Sequence, residues 1–462
     1  MILSQLTQRA WGTIAGLFSA SNLPSFLAIL ILILANTQLG YHFWPNSTLV
    51  YGIRVDYLAP TIYLLDTLIL AYLVATRSVL KGSSAEALAK EEFEASSPKM
   101  SPKRTDLVGH FLSAIFPIFL TNLIFSVNPT ATLNWSLHFI LYFIFISSPS
   151  PIIIRNLLLK ILPPTMFFQV ALASIQVFLG HTLQGPLYYL GERAISIATP
   201  NAARATVFGQ TVLRAYGTFS HPNILAGWLV MALLIVIYLN KQRHAHVGSG
   251  LAPARSLVIF STLLTALGVI LTQSRTSALV LFGIIIPFYI LPRQFIRTRT
   301  AEIFTYRVRQ LSPRLLYFFS LSLVTCYLLF TSAFSRVVDT SLTDRLHLQG
   351  VSSQIIRTFP IFGTGASASI STYPDISPTT RLLQPDHNSF TLLISWFGIF
   401  GVVSLLVAFS LLGAKRRSST SVAMSGLLPL LLLDHYFLTS SQGLFILLLY
   451  LRVTISSCRQ TH

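Results

Sequence analysis

The sequence predicts an all-α, polytopic integral membrane protein with about twelve transmembrane helices. Three observations predict it. Of the 462 residues, 53% are hydrophobic and only 10% are charged, whereas a soluble protein carries about a quarter charged residues. The apolar residues gather into continuous runs of about 20, the length that crosses a bilayer as a helix, without the alternation of a membrane barrel. Finally, the positive charge clusters between alternate runs, the bias that orients membrane helices. Residues 1–462 therefore read as a single transmembrane domain. The net charge of +18 follows this inside bias, so no nucleic-acid partner is implied.

The elements follow in order. Residues 1–23 lie inside. A first span covers 24–43, retained rather than cleaved as a signal peptide, and a second covers 57–76. Between them a short outer loop holds Arg54 and Asp56. The segment 77–106, rich in Lys, Glu, Ser and Ala, reads as a cytoplasmic linker with no catalytic role. Spans three to five cover 108–126, 135–154 and 163–182, and Pro149, Pro151, Pro163 and Pro164 crowd one turn between them. An outer loop over 185–220 carries Tyr188, Tyr189 and Leu190, an interfacial-helix pattern. Spans six to nine cover 222–240, 256–272, 276–291 and 315–333, with a basic inner segment over 293–314. A large outer loop covers 334–387, between helices nine and ten. The last spans cover 388–412, 421–438 and 442–455. Every lysine then falls inside. The positives left outside are all arginine: 54, 193, 204, 214, 275, 336, 345, 357 and 381. Arginine is the side chain suited to forked recognition of phosphate.

Four outer stretches hold candidate chemistry. Arg214-Ala215-Tyr216-Gly217-Thr218-Phe219-Ser220-His221-Pro222-Asn223 stands at the entrance of the sixth span, with Pro222 in the first helical turn. It reads as an anion site at a helix start or as a turn with a capping residue and a snorkelling arginine. Thr272-Gln273-Ser274-Arg275-Thr276-Ser277 is a tight turn between two spans. An arginine at that depth needs an anion, an ion pair or water. The large loop contributes Asp344-Arg345 and then Gly363-Thr364-Gly365, which fits a flexible turn or a close backbone approach to a ligand. It ends at Asp386-His387-Asn388-Ser389. A histidine there serves as a base near neutral pH or as a structural hydrogen-bonder. Asp434-His435-Tyr436 carries the same ambiguity, as does Asp66.

No metal site or cofactor is implied. Cys326 and Cys458 form no framework, the outer carboxylates are scattered, and P-loop and His-Glu-x-x-His motifs are absent.

Taken together, Arg214…Asn223, Thr272…Ala278, Asp344-Arg345, Pro360-x-Phe-Gly-Thr-Gly365, His387-Asn388-Ser-Phe and Gly398-Ile-Phe-Gly401 resemble the O-antigen ligase/polymerase family of membrane glycosyltransferases. The resemblance covers roughly 200–450, in the family's order. It implies a GT-C-like helical fold and an inner-membrane, multi-pass enzyme with its active site on the outer face. Such an enzyme transfers a glycan from an undecaprenyl-diphosphate carrier to a glycan, lipid or protein acceptor. It implies that Arg275 and Arg345 bind the diphosphate and that His387 activates the acceptor hydroxyl. Arg214, His221, Asn223, Asn388 and Asp344 fall in matching stretches as substrate-binding candidates. Two alternatives stand beside the ligase: a polymerase joining lipid-linked repeat units, and a glycolipid transporter or flippase. The large loop favours the ligase. The clustering of polar motifs at one face opposes the transporter, which needs a polar path through the midplane.

Overall fold

The structure is a computed structural model that describes residues 22–82, 103–148, 151–200, 202–207, 210–247, 252–290, 340–413 and 420–456. The expected span 315–333, the basic segment 293–314, the N-terminal segment before Asn22, most of the 77–106 linker, both cysteines and Arg336 lie outside the described residues. The remainder is mostly helical. Each other expected span meets a helix, and among the described residues four are long and apolar enough to cross a membrane: Pro129–Ser147, Arg155–Leu179, Pro222–Gln242 and Ser389–Val407.

The helices are α1 Leu23–Leu34, α2 Leu64–Gly82, α3 Lys103–Ile124, α4 Pro129–Ser147, α5 Pro151–Leu179, α6 Pro222–Val247, α7 Ala252–Thr272 and α8 Arg275–Val280, which continues as a π-helix over Leu281–Ile290. They are followed by α9 Thr340–Thr358, α10 Ser389–Gly413, α11 Thr420–Leu433 and α12 Ser441–Ser456. At the centre stands α6. Leu225, Ala226 and the run from Leu229 to Val236 are almost wholly buried on every face, as in a helix enclosed by others. It packs against α5, α7 and α12.

Three expectations need correction. The first span does not reach residue 43, because α1 stops at Leu34. Asn36, Thr37 and Gln38 interrupt the apolar run, and the Asn36 carbonyl accepts from Thr218 Oγ1 at 2.8 Å and Gln442 Nε2 at 3.2 Å. The chain then forms antiparallel pairs, β1 Gly40–His42 with β4 Thr61–Tyr63 and β2 Leu49–Val50 with β3 Ile53–Arg54, so the second helix begins only at Leu64. The fold is therefore not purely α. Second, the interfacial helix expected in 185–220 is a six-residue 3-10 turn, Gly185–Leu190, followed by the hairpin β5 Arg204–Val207 and β6 Gln210–Leu213. Third, the 334–387 segment is not a loop throughout. It contains α9, whose Leu348, Val351 and Ile355 recur at helical spacing. They bury against Val50, Val55, Leu58 and Tyr373 in a second, smaller core.

The Tyr216-Gly217-Thr218 stretch is buried backbone without secondary structure, so its polar groups need internal partners. Two glutamines one face of α5 apart supply them. Gln176 Oε1 accepts from Tyr216 N at 3.1 Å and Gly217 N at 2.8 Å, and its Nε2 donates to Gly217 O and Glu192 Oε1. Gln169 Oε1 accepts from Thr218 N at 3.1 Å while its Nε2 donates to Thr218 Oγ1. Glu192, 1% exposed, also accepts from Leu183 N and Gln184 N. Replacing Gln176 by leucine should leave several of these groups unpaired, at about 1–3 kcal/mol each. The expected outcome is a clear fall in thermal midpoint in detergent, and an unchanged midpoint would refute this accounting.

Candidate functional site

The candidate site is built from five chain-distant segments that meet around one buried carboxylate. The first is the break between α11 and the one-turn helix Tyr436–Thr439. It presents Asp434, 1% exposed, with its backbone held by Leu430 O and by a hydrogen bond from Ser389 Oγ at 2.8 Å. Asp434 Oδ1 lies 3.4 Å from His387 Nδ1 and 3.6 Å from the Arg345 guanidinium. Arg345, on the first turns of α9, also donates to Leu433 O at 3.2 Å. The Arg345 guanidinium and the His387 ring both pair with this carboxylate in its ionised form.

An ionised carboxylate only accepts hydrogen bonds, so Nδ1 of His387 must carry the proton that faces it. The other ring nitrogen, Nε2, then keeps its lone pair. The His387 ring meets His435 edge to face, centroids 4.9 Å apart, and His435 meets Tyr57 in the same manner at 5.8 Å. The His435 Nδ1 contacts Thr439 Oγ1 at 2.7 Å.

The second wall carries the arginines. Arg214 follows β6. Its Nε donates to Thr272 O at 2.7 Å and its Nη2 to Asn223 Oδ1 at 2.6 Å, so the fork is fixed before any ligand arrives. Burial, helped by Arg275 and Arg345 and opposed by Tyr216 and Asp434, lowers its pKa to about 10, which leaves it charged at neutral pH. Arg275 is exposed at the first position of α8, whose Ser274 cap accepts from Ser277 N. Asp434 likewise acts on Arg214 and His221 through space. Arg345 pairs with the carboxylate, and Arg345 and Arg275 both lie within electrostatic reach of Arg214, an excess of positive charge that favours an anionic ligand.

The sequence candidates divide accordingly. His387, Arg345, Arg214, Arg275, His221 and Asn223 gather here. Asn388 does not present its side-chain oxygen to the cluster; that atom accepts from Phe390 N at 2.9 Å and Thr391 N at 3.4 Å, capping α10. Asp386, 2% exposed, completes the cap by accepting from Asn388 N and Thr391 Oγ1. Asp344 has no hydrogen bond or ion pair to the cluster among the described residues. Gly363 and Gly365 approach the backbone of α10, not a ligand pocket: Thr364 N donates to Ser395 O and Gly365 N to Trp396 O. The residue of undecided role that proves central is Asp434. Its sequence signal was only an acid beside a histidine at a helix end. Among the described residues no group of three His, Cys, Asp or Glu side chains could hold a metal ion.

Residues 260–406 match the family model described as O-antigen ligase, a stretch that includes Arg275, Arg345 and His387 and leaves out Arg214, His221, Asn223 and Asp434. No curated protein and no solved structure matches the chain.

Proposed function

We propose, from the premise that this chain carries an O-antigen ligase domain, that it transfers a glycan from an undecaprenyl-diphosphate carrier to an acceptor hydroxyl at the outer face of the cytoplasmic membrane. The observation that carries this reading is the Asp434–His387 contact set among Arg345, Arg214 and Arg275. His387 Nε2 takes the acceptor proton. The acceptor oxygen then bonds to the anomeric carbon, and the carbon–oxygen bond to the diphosphate breaks, its electron pair leaving with the phosphate oxygen. Fixed guanidiniums meet the charge that develops there, without reorganising. A single displacement of this kind inverts the anomeric centre.

Arginines, and not a divalent cation, balance the diphosphate charge in this scheme. The test uses purified protein in vesicles. The donor is undecaprenyl-diphosphate-linked glycan, and a membrane extract from the source cells is the acceptor pool. Release of undecaprenyl diphosphate is expected, at an unchanged rate after excess chelator. Loss of release on chelation sinks the metal-independent mechanism, and movement of donor across the vesicle without cleavage sinks transfer altogether.

A further inference from the structure

The stretch His221-Pro222-Asn223 sets two groups at once. Pro222 has no N–H, so the first donor of α6 is Asn223 N, and it points at His221 Nδ1 at 3.1 Å. A backbone N–H can only donate. Nδ1 of His221 is therefore the bare nitrogen, and in the neutral ring the proton sits on Nε2. The side chain of the same Asn223 takes the Arg214 fork. His221 is exposed and lies within electrostatic reach of Arg214, Asp434, His387 and Arg345. The protein packed around it, then the Arg214 guanidinium, lower its pKa, which favours the neutral ring whose tautomer the Asn223 N–H sets.

His387 is the opposite case, with Nδ1 committed as donor to Asp434 and Nε2 bare. We propose that the two histidines divide the reaction by tautomer: His387 accepts the acceptor proton, and His221 donates a hydrogen bond from Nε2–H to an oxygen of the departing diphosphate, beside the Arg214 fork. No proton leaves His221; it offsets charge as the carbon–oxygen bond breaks. This role rests on the transfer reaction proposed above.

Glutamine places its amide nitrogen near the position of imidazole Nε2, whereas asparagine places its polar atoms near Nδ1. The two variants therefore separate donation to the ligand from capping of Asn223. In the vesicle assay His221→Gln is expected to stay within about tenfold of the parent, with the parent's pH profile. His221→Asn should fall about 10²–10³-fold, the usual cost of one lost donor to a developing anion. The reverse order would make His221 a cap only, and equal behaviour of the two variants would also overturn the proposal. Loss of the acid limb in His221→Gln would make His221 the base. Parent protein that releases no undecaprenyl diphosphate removes the transfer reaction itself, an outcome distinct from any ordering of the variants.

Discussion

Replacing His387 by alanine is expected to slow glycan transfer by about 10²–10⁴-fold, the range a positioned base supplies, and Asp434→Asn should approach the same loss. Asp434 touches no substrate in this scheme. It acts through His387, by holding the Nδ1–H tautomer that leaves Nε2 bare. An asparagine fills the same volume but can offer an N–H to Nδ1. The imidazole proton then moves to Nε2, and the base is lost while the fold survives. The Arg345 fork loses its charged partner in the same step. Because both variants disable one unit, Asp434→Asn in a His387→Ala background should cost little more than His387→Ala alone. The check is kcat and donor KM for the single and double variants. Additive losses, or a parent-like rate in Asp434→Asn, would break the link between the two residues.

Apolar run length made the helices legible, because a bilayer core demands it, and charge bias placed the motifs together. Arg275, Arg214 and His387 could be singled out because a charged or titratable side chain at the rim of an apolar run is costly without a purpose; Arg345, inside a polar stretch, stood out only through the family resemblance. What sequence could not supply was pairing across distance. Asp434 sits 47 residues from His387, in a tripeptide with no spacing signature, and only the folded chain joins them. The polar composition of 334–387 masked α9, although Leu348, Val351 and Ile355 carry its period. Asn388 resembled a ligand contact because its motif neighbours one; its oxygen serves the helix cap. The Tyr216-Gly217-Thr218 stretch resembled a turn. Its partners, Gln169 and Gln176, stand in a run that reads as lipid-crossing helix.

Substituting Gly398 by alanine should be the most disruptive small change in the protein. Helix α10 opens there, with φ 61° and ψ −176°, a conformation that costs a residue with a Cβ about 1–3 kcal/mol. The opening exchanges two helical hydrogen bonds for four with the preceding loop. Ile399 N and Phe400 N leave Ser395 O and Trp396 O and donate to Pro360 O at 2.9 Å and Ile361 O at 3.1 Å. Thr364 N and Gly365 N take the vacated carbonyls at 2.9 Å and 3.0 Å, and Asn122 Nδ2 reaches Trp396 O at 2.7 Å. A Cβ on Gly398 would fall on the Ile361 carbonyl, and one on Gly363 on the Trp396 carbonyl, backbone against backbone in both cases. Neither can yield as a side chain would. The loop must lift away, and with it goes the join between α9, which carries Arg345, and the helix that begins just after His387. Gly398→Ala and Gly363→Ala are therefore expected to lose both thermal stability in detergent and transfer activity. Gly350→Ala supplies the opposite sign. Gly350 is exposed on α9, with open space where a Cβ would stand, and there alanine should stabilise by about 0.5–1 kcal/mol. A parent-like midpoint for Gly398→Ala would mean that the loop and α10 are not locked in this way. The site would then need another means of holding Arg345 against Asp434.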